Sequence, residues 1–542
     1  MQGNAPEQAP RSAGLDRRRQ TWSVAELGST LASRWHDAAF VVIGAAILAW
    51  VAYDAAVTRL ITYSPSSDYW EHTAALHALM EDPVDPRHPH LGDDTDSPRF
   101  GPHFLWIALS SRVLGLDPIE AMGLAAVANT LLFLAGIQTF FRSYFRDPKA
   151  PLFGLVVLFG AWVNAPHFSN VYELKTFFSV AGYPSTAALG VTLLTFALML
   201  SVLRQAREPR AKLALLALAF AYVYVTHQLT AMMSLTGGFL LAATEPGVER
   251  RRRLVVLATL PVGLLLAAAW PYYRSFSLVS GGTVKYVKAG GKVREKFYEL
   301  ETLIGVVGFA APGLLALGYF AIRRVHLFLV LGALAVLTPF VVNYVRPVPL
   351  GHRFVLLAAF YVQTAFVWLL LRLWDGLPGS RWLDAVPRRI AGRALAAAAL
   401  LLCLVTSALN AAQRFETHSR RRAGKESSIV HFARVVAARV PPNAVVMATM
   451  RDAWPLSTFG THVVALLHRN PLLRDGTERK LASKRFFSSR AGDAEREAIL
   501  RRYGATHVIA KGARGALGRF LDQRATPSRL PRGYVLHALE RR

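Results

Sequence analysis

The residues best suited to chemistry are two carboxylates at the start of a polar stretch, Asp68 and Glu71. They stand three positions apart, so a helix would carry both on one face. Asp68 follows an apolar run by about seven residues and precedes Tyr69 and Trp70, aromatic residues that favour a membrane interface. A carboxylate at that depth is costly unless it has a function. We therefore interpret Asp68 as a candidate general base or substrate ligand.

The stretch up to residue 103 is also rich in acids and histidines, and its prolines exclude a continuous helix. Its remaining candidates are Asp82, Asp85, Asp93, Asp94 and Asp96, with His72, His77, His88, His90 and His103. We predict an irregular cap over the membrane, and the simplest interpretation of 82–96 is a solvated acidic loop. Mixed carboxylates and imidazoles also suit a divalent metal. No ligand spacing stands out, so no metal ligand is assigned and a divalent metal stays an open alternative.

Cations that could bind a phosphate occur in later polar segments. The candidates are Arg353, His352, Arg346, Arg274 and Lys175. The planar guanidinium of arginine matches phosphate oxygens. The simpler alternative is that Arg353 and Arg346 anchor helix ends at lipid headgroups. His227 separates two apolar runs and is either a helix-cap or packing residue or part of the site.

Long apolar runs must position these residues. Of the 542 residues, 53% are hydrophobic and 18% are charged, below the roughly 25% charge of an ordinary soluble domain. A helix needs about 20 apolar residues to cross a bilayer. The sequence predicts about eleven spans: 38–61, 118–141, 151–165, 184–203, 212–226, 229–244, 254–271, 302–322, 326–345, 353–373 and 394–412. The apolar segment 103–115 is predicted to be an interfacial helix, and 212–244 is either a tight helical hairpin or one kinked segment.

Charge predicts how these spans are oriented. Basic residues concentrate in the loops after even-numbered spans, for example Arg250 to Arg253, which places the N-terminus in the cytoplasm. An odd number of spans then places the C-terminus outside. Two outer stretches, 272–301 and 420–422, are basic against this rule. The formal net charge of +27 does not indicate nucleic-acid binding, because many of the arginines flank apolar runs and suit lipid headgroups.

The chain divides into three predicted parts. They are a disordered basic cytoplasmic N-terminus (1–36), a transmembrane domain (37–412) with an outer loop (62–117), and a soluble α/β domain outside the membrane (413–542). In the last part, patterns predict helices at 427–440 and 494–504 and buried strands at 444–449, 462–467 and 506–511. The fold class is therefore mainly α, a polytopic helical bundle with a small α/β domain. The single cysteine, Cys403, excludes an intrachain disulfide.

A basic N-terminus, one span and a long outer loop that opens with an acidic residue resemble the GT-C class of membrane glycosyltransferases. Further likenesses to bacterial GT-C-type proteins are PHFSNVYELKTFFSVAGYP (166–184), HQ (227–228) and GHRF (351–354). The resemblance implies that Asp68 is the catalytic base, with Glu71 as a possible second acid. It also implies a sugar donor linked to polyprenyl phosphate. The acidic motif, SDYWE (67–71), lacks the adjacent acidic pair of many members, so the donor and the metal requirement stay open.

We therefore expect an inverting glycosyltransferase at the outer face of a bacterial inner membrane. Its expected partners are a lipid-linked sugar donor, a glycan or lipid acceptor, and membrane lipids. Two other classes are alternatives: a transporter or flippase of a lipid-linked or anionic substrate, and a non-catalytic scaffold for envelope assembly. Transporters often contain internal repeats and charges at mid-membrane depth. Neither feature is evident in this sequence, which favours the enzyme.

Overall fold

Helices form most of the chain. The computed structural model describes residues 34–57, 67–205, 209–280, 295–346, 348, 350–376, 385–419, 427–468 and 470–540. Nearly all of the predicted disordered N-terminus, 1–36, lies outside the described residues. Up to residue 419 the helices are α1 (Trp35–Val57), α2 (Tyr69–Glu81), α3 (Pro102–Leu114), α4 (Pro118–Phe145), α5 (Ala150–Gly160), α6 (Leu174–Val180), α7 (Pro184–Arg204), α8 (Arg210–Thr226), α9 (Gln228–Thr244), α10 (Arg250–Ala268), α11 (Ser277–Ser280), α12 (Leu300–Val307), α13 (Pro312–Arg323), α14 (Leu327–Val345), α15 (Phe354–Asp375) and α16 (Ala385–Ser419).

Within the described ranges, six helices are long and apolar enough to cross a membrane. They cover Trp35–Val57, Pro118–Phe145, Pro184–Arg204, Leu327–Val345, Gly351–Asp375 and Arg388–Glu416. A seventh is reached if Leu300–Ala310 and Pro312–Arg323 count as one span, although they are bent by 74°. The predicted span 302–322 is therefore broken by a sharp bend. The predicted number of about eleven spans is not confirmed.

Four of the predicted spans form helices that do not meet this criterion. Helix α5 has only 11 residues, and all of them are buried against the rest of the bundle. Helices α8 and α9 have 17 residues each and are separated by His227, so 212–244 is not one continuous helix. Helix α10 opens with four arginines. Of these four helices only α5 is buried along its whole length; α8 and α10 are mostly not buried, and short length or basic residues place them outside the criterion.

Between residues 67 and 117 no continuous helix forms, as the prolines predicted. This stretch holds α2, residues 82–101 without regular structure, and α3. We call residues 67–101 the polar segment. Asp82 ends α2, and its carboxylate accepts hydrogen bonds from the backbone of Val84 (2.9 Å) and Asp85 (3.0 Å). Asp82, the first acid of the loop predicted over 82–96, therefore stabilises the backbone turn that follows α2.

The chain beyond residue 427 forms an α/β domain around a five-stranded sheet. Its elements are α17 (Ser428–Ala437), β1 (Val445–Met447), α18 (Met450–Ala453), β2 (His462–Val463), α19 (Gly476–Phe486), α20 (Asp493–Arg502), β3 (His507–Lys511), α21 (Gly515–Asp522), β4 (Ala525–Arg529) and β5 (Tyr534–Leu539). The strand order is β2-β1-β3-β5-β4, with β1 parallel to β2 and β3, and β5 antiparallel to β3 and β4. The predicted helices and strands are confirmed, although β2 is short. Strands β4 and β5 escaped prediction, and β4 is an edge strand that carries a proline and an arginine.

Two glycines allow α4 and α7 to pack closely. A Cβ on Gly136 would lie 2.7 Å from the carbonyl oxygen of Gly190, and a Cβ on Gly190 would lie 3.0 Å from backbone atoms of α4. Small residues at such crossings let two helix backbones approach, which is a common way to pack membrane helices. This contact fixes α7, whose first turn follows a residue of the candidate site, Tyr183.

We predict that Gly136→Leu destabilises the protein, because its side chain would collide with backbone of α7 that has no room to move. Overpacking of this kind costs about 1–3 kcal/mol. Thermal unfolding of the detergent-solubilised protein measures the loss. Gly318→Leu on α13 is the matched control, since a Cβ there meets no atom within 4 Å. An equal loss in both variants would contradict the packing argument.

Candidate active site

Asp68 is the second residue of the polar segment and lies at the first turn of α2. Its backbone is already helical (φ −61°, ψ −17°), and its side chain makes no capping hydrogen bond. Its Oδ1 lies 3.4 Å from Nε2 of His468, and 48% of the Asp68 side chain is exposed. The carboxylate predicted to be the base is therefore accessible and is contacted from the C-terminal domain.

Sequence reasoning missed two residues of this site, His468 and Trp454. The indole N–H of Trp454 donates to the backbone carbonyl of Ser67, the residue before Asp68, at 3.0 Å. Its ring lies 5.1 Å from the ring of His468. Both residues follow short strands of the C-terminal domain, whose role the sequence did not specify. Each contacts a residue about 400 positions earlier in the chain. The only available signal was an isolated histidine directly after a predicted buried strand.

Glu71 has a different environment from Asp68. Its Oε2 accepts a hydrogen bond from Nη2 of Arg99 at 2.9 Å, and only 14% of its side chain is exposed. Burial alone would raise the pKa of Glu71, but the charge and hydrogen bond of Arg99, with smaller contributions from His468 and His88, lower it below its usual range. Glu71 is thus a paired, ionised carboxylate inside the protein.

Tyr183 connects the polar segment to the loop before α7. Its hydroxyl lies 3.4 Å from the hydroxyl of Ser67, and its ring lies 4.5 Å from the ring of His72. Burial and then the nearby charge of Asp68 raise the pKa of Tyr183. The predicted motif 166–184 therefore reaches Asp68 through its penultimate residue. At neutral pH the phenol stays protonated.

His227 is the N-cap residue of α9. Its Nδ1 lies 2.8 Å from the hydroxyl of Thr230, which in turn accepts a hydrogen bond from the amide of Asn170 at 3.1 Å. Burial, followed by the charges of Arg99 and Arg353, lowers the pKa of His227 to about 3. The helix-cap alternative for His227 is confirmed, and its place in a substrate site stays a prediction. Arg99 and Arg353 both lie within electrostatic range of this histidine.

Arg353 and His352 lie in a short 3-10 turn, Gly351–Arg353, before α15. The guanidinium of Arg353 stacks over the ring of Phe168, 5.2 Å from its centre. The ring of His352 lies 5.0 Å from that of Phe297. Both side chains are partly buried, and aromatic rings hold them in place. The turn therefore presents its cations from fixed positions.

The remaining predicted cations are more exposed. Arg274 follows Tyr273, whose hydroxyl donates to the carbonyl of Val225 at 2.6 Å, so this turn lies beside the end of α8. Arg346 caps the C-terminal end of α14. Lys175 lies elsewhere, with its Nζ 3.3 Å from the side-chain oxygen of Gln413 on α16. Asp68 and Glu71 thus lie one turn apart on α2, Arg99 and Arg353 act electrostatically on His227, and Lys175 contacts α16 instead.

In the described ranges, nowhere do three or more His, Cys, Asp or Glu side chains form a group able to hold a metal ion. The acids and histidines of the polar segment have other contacts. Asp93 forms an ion pair with Arg479 at 3.3 Å, and Nε2 of His88 lies 3.2 Å from the amide of Asn470. These contacts join the segment to the C-terminal domain.

Comparison with known proteins gives matches among solved structures. No family profile and no curated protein matches the sequence. ArnT from Cupriavidus metallidurans bound to undecaprenyl phosphate matches with a TM-score of 0.54 and 15% identity, over 92% of this chain and 97% of that one. The oligosaccharyltransferase of Archaeoglobus fulgidus tethered with an acceptor peptide matches with a TM-score of 0.51 and 10% identity, over 95% and 75%. Arabinofuranosyltransferase AftD from Mycobacteria matches with a TM-score of 0.51 and 13% identity, over 94% of this chain but only 40% of AftD.

These neighbours are GT-C glycosyltransferases, so the chain has the fold of that class of polytopic membrane enzymes. The resemblance inferred from the sequence is confirmed at the level of fold. The identities are too low to transfer residues, and the site stands on the geometry of this chain.

We predict that Arg99→Met lowers the free energy of unfolding by roughly 2–4 kcal/mol, because it leaves the buried carboxylate of Glu71 without its ion-pair partner. Arg502→Met is the matched control. Its ion pair with Glu478 is more than 60% exposed on both sides, and such pairs contribute about 1 kcal/mol at most. Chemical denaturation in detergent measures both losses.

The pH dependence provides a second measurement on the same variant. The folded-state pKa of Glu71 is lowered, so its stabilising contribution is complete above its ordinary value of 4.5 and is lost as pH falls below it. Arg99→Met should remove this loss of stability at acidic pH. An unchanged slope of stability against pH below 4.5 in the variant would contradict the pairing.

Proposed function

We propose that this protein transfers a sugar from a polyprenyl-phosphate-linked donor to a cell-envelope acceptor at the outer face of a bacterial inner membrane. The observation that carries the proposal is the accessible carboxylate of Asp68, placed at the first turn of α2 in a GT-C fold. ArnT, one neighbour of that fold, was solved with undecaprenyl phosphate. The topology that we propose has the N-terminus in the cytoplasm and the C-terminal domain outside. The shorter helices α5, α8, α9 and α10 would complete about eleven spans.

The proposed chemistry needs one base and a set of cations. An acceptor hydroxyl attacks the anomeric carbon, a new C–O bond forms, and the bond from that carbon to the lipid phosphate breaks. Asp68 takes the hydroxyl proton, and the phosphate leaves with the bonding electrons. Attack opposite the leaving group inverts the anomeric centre. General-base catalysis of this type contributes about 10²–10⁴-fold in rate.

Asp68 suits the role of base better than Glu71. A base must reach the acceptor, and the side chain of Asp68 is 48% exposed whereas that of Glu71 is 14% exposed. Glu71 also shares its charge with Arg99, so protonating it would break a buried ion pair. We therefore assign Glu71 the role of holding Arg99 beside the site, and not that of a second proton acceptor.

The donor phosphate is proposed to bind on the side of Arg353 and His352. The turn Gly351–Arg353 holds both cations against aromatic rings, and His227 lies within electrostatic reach of Arg353 and Arg99. Fixed guanidiniums stabilise the charge that develops on a departing phosphate. In this proposal Arg274 and Arg346 bind lipid headgroups or the donor from more exposed positions, and Lys175 contributes from a neighbouring cluster. A divalent metal could add to this charge.

We predict that Asp68→Asn slows transfer at least about 100-fold without unfolding the protein, because the amide cannot accept the acceptor proton. The assay follows release of undecaprenyl phosphate from a panel of undecaprenyl-phosphate-linked sugars by the protein in nanodiscs, with membrane-derived glycolipids as acceptors. Asp94→Asn is the matched control, since Asp94 is an exposed acid of the same segment. Full activity in Asp68→Asn would overturn the assignment.

We also predict that Arg353→Gln weakens binding of undecaprenyl phosphate about tenfold, the loss of roughly one charge-assisted hydrogen bond. Arg353→Lys should recover only part of the lost affinity, because lysine keeps the charge but lacks the planar guanidinium that pairs with two phosphate oxygens. Binding to the purified protein is measured by native mass spectrometry. Arg323→Gln, at an exposed arginine ending α13, is the control for nonspecific lipid attraction. An equal change in both Gln variants would contradict a phosphate site at Arg353.

A further inference from the structure

The C-terminal domain contacts the polar segment through residues 463–468 and 470–473, which we call the docking stretch. At its start, the backbone N–H of Val463 donates to the carbonyl of His90 at 2.7 Å. Further along, the side-chain amide of Asn470 donates to the carbonyl of Asp96 at 3.1 Å, and Asn470 is only 6% exposed. The docking stretch is therefore fixed to the polar segment on both sides of His468.

A second set of contacts fixes the start of α2 to the same domain. The indole of Trp454 donates to the carbonyl of Ser67, and the hydroxyls of Thr73 and Thr458 lie 2.8 Å apart in a buried contact. Trp454 also packs its ring against His468. The imidazole and the turn that carries Asp68 are therefore held by one rigid set of side chains.

We propose that His468 is a positioning residue for Asp68, so that the C-terminal domain completes the active site from the far end of the chain. This inference rests on the proposed glycosyltransferase function. Nε2 of His468 contacts Oδ1 of Asp68 and leaves Oδ2 to accept the proton of the acceptor.

The strength of the contact between His468 and Asp68 decides whether its effect appears in the stability of the protein or in the rate of transfer. The side chains of His468 and Asp68 are 39% and 48% exposed, and a polar contact this exposed adds little to stability. A half-exposed carboxylate has several staggered rotamers available, and a partner at 3.4 Å selects one of them. Holding a catalytic group in its reactive geometry is worth far more in rate than the contact is worth in stability. The role of His468 should therefore show in turnover and not in unfolding.

The test compares three variants of the full chain in nanodiscs with the panel of undecaprenyl-phosphate-linked sugars. His468→Ala should lower kcat about 10- to 100-fold with little change in the acceptor KM, and its melting temperature should stay near that of the wild type. His468→Gln should recover part of kcat, because its amide offers an N–H donor of similar reach. His431→Ala, at an exposed histidine of α17, should be unchanged. A wild-type kcat in His468→Ala, or no recovery in His468→Gln, would overturn the proposal.

The variant Asp68→Asn separates failure of this inference from failure of the proposed function. If Asp68→Asn is inactive and His468→Ala is fully active, only the positioning role fails; if Asp68→Asn is fully active, the proposed base fails first. Combining His468→Ala with Asp68→Asn should add no further loss of kcat, because the two residues act as one unit.

Carbodiimide labelling of Asp68, read by peptide mass spectrometry, tests the contact without an activity assay. It should be faster in His468→Ala than in His431→Ala, since the contacted oxygen is freed, and equal rates would contradict the contact.

Discussion

The structure depends on how a segment without regular secondary structure is held at the end of a helical bundle. Residues 82–101 form no helix or strand of their own, so many of their carbonyls must find donors elsewhere. Donors come from both sides: the indole of Trp270 binds the carbonyl of Phe100 at 2.8 Å, and the backbone of Val463 binds that of His90. The bundle and the C-terminal domain therefore hold the polar segment between them. The position of Asp68 is a product of that tertiary arrangement.

The same arrangement separates two acids that the sequence presents as a pair. Asp68 and Glu71 are one turn apart on α2, yet Asp68 is about half exposed and Glu71 is buried against Arg99. Two carboxylates in different environments can carry different functions, one available for proton transfer and one ionised for structure. Glu71 also fixes Arg99, which would otherwise be a mobile cation near His227. The division of roles that we propose for Asp68 and Glu71 thus follows from their burial.

Local pattern predicted the features that depend on local chemistry. Hydropathy located most of the helices, and proline content predicted the irregular stretch after α2. Residue type and position singled out Asp68, Glu71, His227 and Arg353 as candidates. The number of spans stays unconfirmed, because hydropathy alone does not separate a short apolar run buried by its neighbours, such as α5, from one that faces lipid. Trp454 and His468 could not be predicted, since they meet Ser67 and Asp68 across nearly 400 residues, with a separation of 387 for the tryptophan contact. No periodicity in one sequence records a contact of that range.

Burial also decides which groups carry positive charge around the site. Burial lowers the pKa of His103 to about 3, and burial with the charge of Arg99 lowers the pKa values of His72 and His227 as well. These imidazoles are therefore neutral through the physiological range, and two of them sit close to Arg99 without repelling it. The fixed positive charge of this region is then that of Arg99, which is paired with Glu71, and that of Arg353, because guanidinium does not titrate in proteins. For the phosphate site that we propose, this means that the attraction does not depend on protonation of these imidazoles.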